Sequence, residues 1–282
     1  MIYDNKVIKY KGRRVFEKLV MTSDYKRVPK YFAEDEACFL FIKEGSFQFR
    51  TPTNLLRYSK NEAMLAKCGN YFIEDISTNN AENKLAAIGA FFYPDMVKEF
   101  FANDLSLNHF AKTFDVKKIN VEPLMKYFID SIDFLLDNQA VVDDNIIVNK
   151  LKELLLILSK SENAHSVNEF VSSLFTPYEY DFTEIIQKNL FSNLSLKELA
   201  KLCNCSLATF KRKFAEHYKE SPTKYFTQKK LKRAAQLLQL KAKSIGDIAF
   251  DCGFETASTF NKAFKKHFGK SPSQFRLSSF SQ

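Results

Sequence analysis

The sequence predicts an α+β protein with an N-terminal small β-barrel domain that also carries helices. Its C-terminal domain is predicted to be all-α, with two helix-turn-helix units joined by a linker helix. Three observations predict this architecture. Strand-like runs fill much of the first ninety residues, and apolar residues recur at helical spacing from about residue 94. Near its end the chain repeats one motif, TFKRKFAEHYKESP at 209–222 and TFNKAFKKHFGKSP at 259–272.

The strand signals come first along the chain. The run ACFLFIKEGSFQFR (37–50) predicts two strands joined by a tight turn at Glu44-Gly45-Ser46. Two further strands are predicted in EAMLAKC (62–68) and KLAAIGAFFY (84–93). The β part of the first domain is therefore expected over about 1–93.

Helices are predicted next, at 122–138 and 145–160, each with a dense apolar stripe. The stripes either pack on the β part or form the interface of a homodimer, and the pattern alone does not distinguish these alternatives. The first domain is expected over 1–175, with its helical part over about 94–175. A polar stretch follows, and the boundary is expected near 175–182, so that the second domain covers 181–282.

Composition limits the classes of protein that this chain can represent. At 282 residues it is long enough for two domains, each with a core. Five cysteines at scattered positions favour reduced thiols over a disulfide framework, and Cys203-Asn204-Cys205 has no further ligand cluster to complete a metal site. No run approaches the ~20 apolar residues of a membrane span, and no export signal is recognised. We expect a cytoplasmic protein without a membrane partner.

Positive charge is concentrated at the C-terminal end of the chain. The net charge is +9. From residue 181 onward there are 19 Lys and Arg against 8 Asp and Glu, a balance of +11, whereas the first 180 residues hold 23 against 25, a balance of −2. Such a distribution is typical of a domain that binds a polyanion, either nucleic acid or an acidic membrane.

The repeat is longer than the two quoted copies. LKELAKLCNCS (196–206) aligns with IGDIAFDCGFE (245–255). Each copy therefore reads as a short helix, a turn and a longer helix that ends before Ser-Pro, which places the two helix-turn-helix units at about 195–218 and 244–268. The serines that precede the helices are predicted caps, at Ser195, Ser221, Ser244 and Ser271.

The longer helix of each copy has two different faces. Helical spacing turns one set inward: Leu207, Phe210, Phe214 and Tyr218, and Ala257, Phe260, Phe264 and Phe268. The opposite face carries small, amide and basic residues: Ala208, Lys211, Arg212 and Ala215, and Ser258, Asn261, Lys262 and Lys265. A helix that enters the major groove needs such a face to reach base edges, although an ordinary solvated face is the alternative interpretation.

Residues 181–280 resemble the AraC-type (AraC/XylS) DNA-binding domain of bacterial transcription regulators. The resemblance rests on both copies, above all on Ile248-Ala249, Gly253-Phe254 and the run FKKHFGKSPSQFR. It implies a linker helix at about 222–240, double-stranded promoter DNA as the ligand and RNA polymerase as a partner. The DNA-contacting residues that it implies, together with the polar outer face, are Ala208, Lys211, Arg212, Ser258, Thr259, Asn261 and Lys262.

The N-terminal domain resembles the cupin-like sensor domain found in many members of that family, which implies an unknown small-molecule or protein effector. Residues 1–108 contain no histidine, whereas an enzymatic cupin needs several to bind its metal. We therefore expect no catalytic residue, metal or cofactor. The predicted function is that of a sequence-specific transcription regulator that reads two adjacent major grooves per protomer, not that of an enzyme.

Three alternatives belong to other classes of protein. The first is a cupin-type metal enzyme fused to a DNA-binding module. The second is a DNA-repair methyltransferase, which would need a cysteine-rich zinc module that Cys38 and Cys68 alone do not supply. The third is a basic structural protein, which would bind DNA without sequence preference.

Overall fold

The computed structural model describes residues 2–22, 27–31, 36–67, 70–77, 84–100, 116–161, 180–240 and 243–278. The chain divides into two units, Met1–Glu179 and Tyr180–Gln282. The first unit contains all the described strands and three α-helices, and the described part of the second is helical. The predicted α+β fold class is confirmed. Within these ranges, no helix combines the length and the apolar character that crossing a bilayer requires.

The strands of the first unit form two antiparallel sheets. In chain order they are β1 (Ile2–Tyr10), β2 (Arg13–Thr22), β3 (Arg27–Tyr31), β4 (Ala37–Glu44), β5 (Ser46–Arg50), β6 (Leu55–Ser59), β7 (Ala63–Ala66), β8 (Asn70–Ser77), β9 (Lys84–Phe92) and β10 (Val116–Ile119). One sheet has the spatial order β1-β2-β9-β4-β7-β10 and the other the order β3-β8-β5-β6.

Both sheets contribute to one hydrophobic core. Phe39 of the larger sheet and Phe47, Phe49 and Tyr58 of the smaller sheet are almost fully buried and belong to the same cluster. The Phe47 and Tyr58 rings stack with centroids 5.7 Å apart. Along β5, buried and partly exposed residues alternate, as expected when one face of a strand packs on a core.

The strands predicted at 37–50 exist, but they do not pair with each other. β4 pairs with β7 and β9, whereas β5 pairs with β6 and β8 in the other sheet. Gly45 between them has a φ of +80°, and a Cβ there would lie 3.1 Å from the Lys84 carbonyl oxygen. The turn therefore carries the chain from one sheet to the other. The alternation identified each strand but contained no information about its partner.

The predicted division into a β part over about 1–93 and a helical part over about 94–175 is wrong at one strand. β10 lies within the second range and pairs with β7, with Val116 opposite Ala66 and Ile119 opposite Ala63. Its sequence, VKKI, is short and half charged. An edge strand of that kind lacks the apolar pattern by which longer strands are recognised.

The helices of the first unit are α1 (Pro94–Phe100), α2 (Pro123–Asp137) and α3 (Asp144–Ser161), so the predictions at 122–138 and 145–160 are confirmed. Phe128 and Ile132 of α2 are buried in the core that the sheets share. Ion pairs fix the same helix to the larger sheet, with Lys18 Nζ 2.8 Å from Asp133 Oδ1 and 3.0 Å from Asp137 Oδ2. The stripe of α2 thus packs on the β part.

A second apolar side of α2 faces solvent. Leu124 is 59% exposed, and Tyr127 and Phe134 are 74% and 61% exposed.

The second unit consists of seven described helices: α4 (Phe182–Lys188), α5 (Leu196–Leu202), α6 (Leu207–Tyr218), α7 (Pro222–Leu238), α8 (Ile245–Asp251), α9 (Ala257–Phe268) and α10 (Pro272–Ser278). Helices α5 and α6 form the first helix-turn-helix unit, and α8 and α9 form the second. Helix α7 connects them and ends two residues before the predicted 240.

Candidate nucleic-acid interface

Matching side-chain caps start the helices of both copies. Ser195 and Glu198 form a capping box at α5, with the Glu198 N–H donating to Ser195 Oγ and the Ser195 N–H donating to Glu198 Oε2. Ser244 Oγ accepts from the Asp247 N–H at α8. Ser271 Oγ likewise accepts from the Gln274 N–H at α10.

Further helix starts of this unit differ in detail. Ser206 and Thr256 cap the longer helices α6 and α9, accepting from the Thr209 and Thr259 N–H groups. Ser221 stands before α7 without a side-chain cap bond, although Pro222 occupies the first turn as predicted. All four predicted helix starts are therefore present, and three of them are capped by the serine side chain.

The turns of the two units share one backbone conformation. Gly253 has a φ of +76°, and Asn204, at the equivalent position of the first copy, has a φ of +49°. Glycine adopts this left-handed region freely and asparagine tolerates it better than most residues. The role of Asn204 in this turn was not predicted from the sequence.

Phenylalanines on the inner faces anchor the longer helices. Phe210, Phe214, Phe260 and Phe264 are fully buried. The Phe210 and Phe214 rings lie 5.9 Å apart and the Phe260 and Phe264 rings 5.4 Å apart. Leu207, which was predicted to face inward with them, is 37% exposed because it occupies the first position of α6, beyond the aromatic contacts.

Burial of the phenylalanines turns the opposite face of each longer helix to solvent. All seven residues predicted to contact DNA are exposed: Ala208, Lys211, Arg212, Ser258, Thr259, Asn261 and Lys262. Their locations match between copies, since Ala208, Lys211 and Arg212 occupy the repeat positions of Ser258, Asn261 and Lys262. We call the two exposed faces formed by these six residues the outer faces.

Two of the seven side chains have partners on their own helix or cap. The Thr259 hydroxyl lies 2.9 Å from Thr256 Oγ1, within the cap of α9. Arg212 Nη1 lies 3.9 Å from Glu216 Oε1, and both side chains are well exposed, so the interaction is weak. Arg212 therefore keeps its donors available, whereas Thr259 is positioned first of all as a capping residue.

A groove that no sequence pattern predicted lies beside the first outer face. An open cavity of about 640 Å³ is lined by Lys211 and Ala215 of α6, by Lys219 and by the start of α7 at Pro222 and Thr223. Lys219 ends α6 in the left-handed conformation, with a φ of 56°. The equivalent residue in the second copy is Gly269, with a φ of 75°. A lysine in this conformation is uncommon, whereas glycine adopts it freely.

The sequence did not indicate a structural role for Lys230. It lies midway along α7, and its ammonium group donates to the carbonyl oxygens of Ser192 and Gly253 at 2.8 and 2.7 Å. Burial lowers its pKa from the ordinary lysine value. A lysine within an amphipathic helix is usually interpreted as solvent-facing, and only its position between Phe226 and Leu231 signalled otherwise.

In this unit the Cys252 thiol is buried, and the Cys203 and Cys205 thiols are partly buried. Burial raises the pKa of Cys203 to about 12 and that of Cys252 to about 11. No disulfide joins the four cysteines within the described ranges, Cys38, Cys203, Cys205 and Cys252. Cys68 lies outside those ranges. Among the residues that the structure describes, no three His, Cys, Asp or Glu side chains are grouped so that they could hold a metal ion.

Comparisons with known families match both parts of the chain. Residues 199–278 match the family model described as a helix-turn-helix domain. Residues 37–172 match the family model described as the ExsA N-terminal regulatory domain. The second match includes β4 to β10 and helices α1 to α3 of the first unit.

Individual relatives match over about half of their length. The virulence regulon transcriptional activator VirF of Yersinia enterocolitica is 27% identical over 158 residues, which are 56% of this chain and 58% of VirF. The Msm operon regulatory protein of Streptococcus mutans is 33% identical over 135 residues, 48% of each chain. The crystal structure of ToxT from Vibrio cholerae aligns with 93% of this chain and 97% of its own, at 14% identity and a TM-score of 0.35.

Proposed function

We propose that this chain, which carries an AraC-type helix-turn-helix domain behind a regulatory domain of the ExsA kind, is a sequence-specific DNA-binding transcription regulator. One observation carries the proposal. Two helix-turn-helix units of matching construction present equivalent exposed faces, with Lys211 and Arg212 on one and Asn261 and Lys262 on the other. Basic and amide side chains on such helices hydrogen-bond to base edges in the major groove.

Each protomer reads two adjacent major grooves of one duplex. Helix α7 has 17 residues. At ~1.5 Å per residue it spans about 26 Å, and successive major-groove faces of B-DNA lie ~34 Å apart. Because the outer faces differ, each reads a different sequence, so that the site for one protomer consists of two distinct boxes about 10 base pairs apart. The charge of +11 from residue 181 onward supplies the nonspecific part of the affinity.

We assign a separate role in recognition to each side chain of the outer faces. Lys211, Arg212 and Lys262 donate to guanine or to phosphate, and Asn261 recognises adenine. Ala208 offers only a methyl contact, for which the thymine methyl group is the complement. Ser258 and Thr259 lie near the start of α9, where short hydroxyl side chains suit contacts with the DNA backbone.

The unit Met1–Glu179 is the regulatory part in this proposal. The match to a regulatory domain over residues 37–172 supports control by an effector, either a small molecule or a protein. The name of VirF, a transcriptional activator, supports RNA polymerase as the partner at the promoter. The protein acts in the cytoplasm, where promoter DNA is accessible, and it has no catalytic activity.

A homodimer is part of the same proposal. Leu124, Tyr127 and Phe134 lie along one side of α2 and are well exposed, and an exposed apolar stripe of this kind suits a second copy of the same helix. Replacing Tyr127 by Glu would shift the protein from dimer to monomer in sedimentation equilibrium. A wild-type protein that sediments as a monomer at all concentrations tested would contradict the dimer alone.

Selection from a random duplex pool tests the DNA-binding function. We expect the full-length wild type to select two boxes, and its affinity to fall steeply as salt rises because bound Lys and Arg release counterions. Arg212→Ala should relax the sequence preference in one box and Lys262→Ala in the other, each with a loss of about 1–3 kcal/mol. Lys213→Ala, about 100° around α6 from Arg212, is the matched control and should leave both preferences unchanged.

Three outcomes would contradict parts of the proposal. Recovery of unselected sequences by the wild type would refute specific binding and favour a nonspecific basic protein. If Arg212→Ala and Lys262→Ala relax the same box, the two helices do not read separate grooves. If either substitution weakens the affinity for all DNA sequences alike, the side chain contacts phosphate and not a base.

A further inference from the structure

A single ammonium group joins the two helix-turn-helix units. Lys230 Nζ donates to the carbonyl oxygen of Ser192, which lies between α4 and α5 at the entrance to the first unit. It also donates to the carbonyl oxygen of Gly253, in the turn of the second unit. Both distances, 2.8 and 2.7 Å, are those of good hydrogen bonds to a charged donor.

At the same place, the backbone of the Gly253 turn directly contacts the backbone of the segment Phe191–Ser192. A Cβ added to Gly253 would lie 2.4 Å from the carbonyl oxygen of Phe191 and 2.6 Å from that of Ser192. The guanidinium carbon of Arg233 lies 4.5 Å from the centre of the Phe191 ring. The segment Phe191–Ser192 is thus held between α7 and the turn of the second unit.

That segment is itself well anchored to the helix before it. The Ser192 N–H and hydroxyl both donate to the Asn189 carbonyl oxygen, at 3.1 and 2.9 Å. The Asn189 side chain is buried and donates to the Ile185 carbonyl oxygen at 2.8 Å. The Ser192 carbonyl is therefore a fixed acceptor, and Lys230 bonds one fixed point in each unit.

Apolar contacts fix the remaining freedom of α7. Near its start, the rings of Tyr225 and Phe226 lie 5.4 and 5.8 Å from that of Phe214 in the first helix-turn-helix unit. Towards its end, Leu231 and Leu238 belong to the core of the second helix-turn-helix unit. Lys230 lies between these two sets of contacts. The Lys230 ammonium group is partly buried, which is costly for a charge, and its hydrogen bonds to two carbonyl oxygens offset that cost.

We infer that Lys230 is a positioning residue that fixes the separation and the rotational phase of the two outer faces, and so determines the number of base pairs between the two boxes. The inference rests on the proposed function. One extra base pair moves the second box by ~3.4 Å and rotates it by about 35° around the duplex. A rigid junction cannot follow this change, whereas a junction that has lost its central bonds adapts to it.

The test measures affinity for duplexes with different spacers. The boxes selected by the full-length wild type are placed at the selected spacing and with one base pair added or removed. We expect the wild type to lose about tenfold in affinity for either change, comparable to one mismatched base pair. Lys230→Met removes the donors at nearly constant length, and we expect its loss to be at most about threefold. Lys232→Met, an exposed lysine two residues away, removes the same charge and should keep the tenfold loss.

The outcomes separate this inference from the proposed function. If the wild type selects no pair of boxes, the proposed function fails. If it selects two boxes and Lys230→Met keeps the tenfold loss, the role of Lys230 is refuted while the function stands. Should Lys230→Met not fold by circular dichroism, Lys230→Gln, which retains one donor group, is measured against the same threshold. Failure of both variants to fold would also refute the inference, because Lys230 would then be needed for folding and not for spacing.

Discussion

Two glycines of the second unit allow the close contact between the helix-turn-helix units to be measured. Gly253 and Gly269 have nearly the same backbone conformation, with φ values of +76° and +75°. Their surroundings differ, since a Cβ at Gly269 would meet no atom within 4 Å, whereas a Cβ at Gly253 would lie 2.4 Å from the Phe191 carbonyl oxygen. Replacing each by alanine therefore separates the cost of the conformation from the cost of the contact.

The structure gives different magnitudes for the two substitutions. Both variants place an L-residue in the left-handed region, which costs about 1–2 kcal/mol and is partly offset by a stiffer unfolded chain. Gly269→Ala should therefore lose about 1 kcal/mol. In Gly253→Ala, the backbone of Phe191 or of the turn must also move so that the 2.4 Å approach opens to an ordinary contact. Overpacking against backbone of this kind adds about 1–3 kcal/mol, for a total of about 3 kcal/mol.

Urea unfolding of the full-length variants, followed by circular dichroism, measures both losses. Because the chain has two units that can unfold separately, hydrogen exchange of peptides from α8 and α9 should accompany it and assign the transition to the second unit. Equal losses for the two variants, within about 0.5 kcal/mol, would refute the close contact between Gly253 and the Phe191–Ser192 segment.

Two further predictions concern the helix caps and the acid stability of the first unit. Ser195→Ala removes the capping box of α5 and should lower the free energy of unfolding in urea by about 1 kcal/mol. Ser221→Ala removes no cap bond and should change that free energy by no more than about 0.5 kcal/mol. Equal losses for the two variants would contradict the capping geometry. Burial would raise the pKa of Asp133, but ion pairs with Lys18 and Lys43 outweigh it and hold that pKa below the ordinary value, while Lys6 and Lys18 lower the pKa of Asp137. A carboxylate whose pKa is lowered in the folded state stabilises the fold above its unfolded pKa of about 3.9, and this effect is lost as the pH falls through the folded pKa. The difference in unfolding free energy between wild type and Asp133→Asn should therefore shrink from pH 6 to pH 3. A difference independent of pH would contradict these ion pairs.

Much of the second unit could be predicted from the sequence, because its two copies contain the same local signals. Cap residues such as Ser195 and Ser244, and the buried phenylalanines of α6 and α9, are encoded within a few residues of where they act. The outer faces follow from the phenylalanines, since helical periodicity fixes which residues lie opposite them. The seven residues proposed to contact DNA are exposed, and their contacts with DNA remain a prediction.

Features that depend on contacts between distant segments could not be predicted. The strands at 37–50 were recognised, but their pairing in different sheets depends on partners at 55–59 and 84–92 that no local pattern specifies. Lys230 illustrates the same limit, because its two acceptors lie 38 and 23 residues away in the chain. Whether a lysine on a helix faces solvent or bonds to buried carbonyls is decided by those segments and not by its neighbours in sequence.

The shared helix α7 determines how this repeat can be engineered. Tyr225 and Phe226 pack with the first helix-turn-helix unit, and Leu231 and Leu238 pack with the second. A chimera joined within 222–238 would therefore combine half-cores from different parents. Either copy excised alone would lose part of its interior. The outer faces have no such constraint, since their side chains stand in solvent on helices held by equivalent phenylalanines. Exchanging Ala208, Lys211 and Arg212 with Ser258, Asn261 and Lys262 would leave both interiors unchanged. If the proposed recognition of two boxes is correct, the exchange would also reverse the order of the boxes along one strand. The two helix-turn-helix units therefore cannot be separated without disrupting their interiors, whereas the residues of their outer faces can be exchanged.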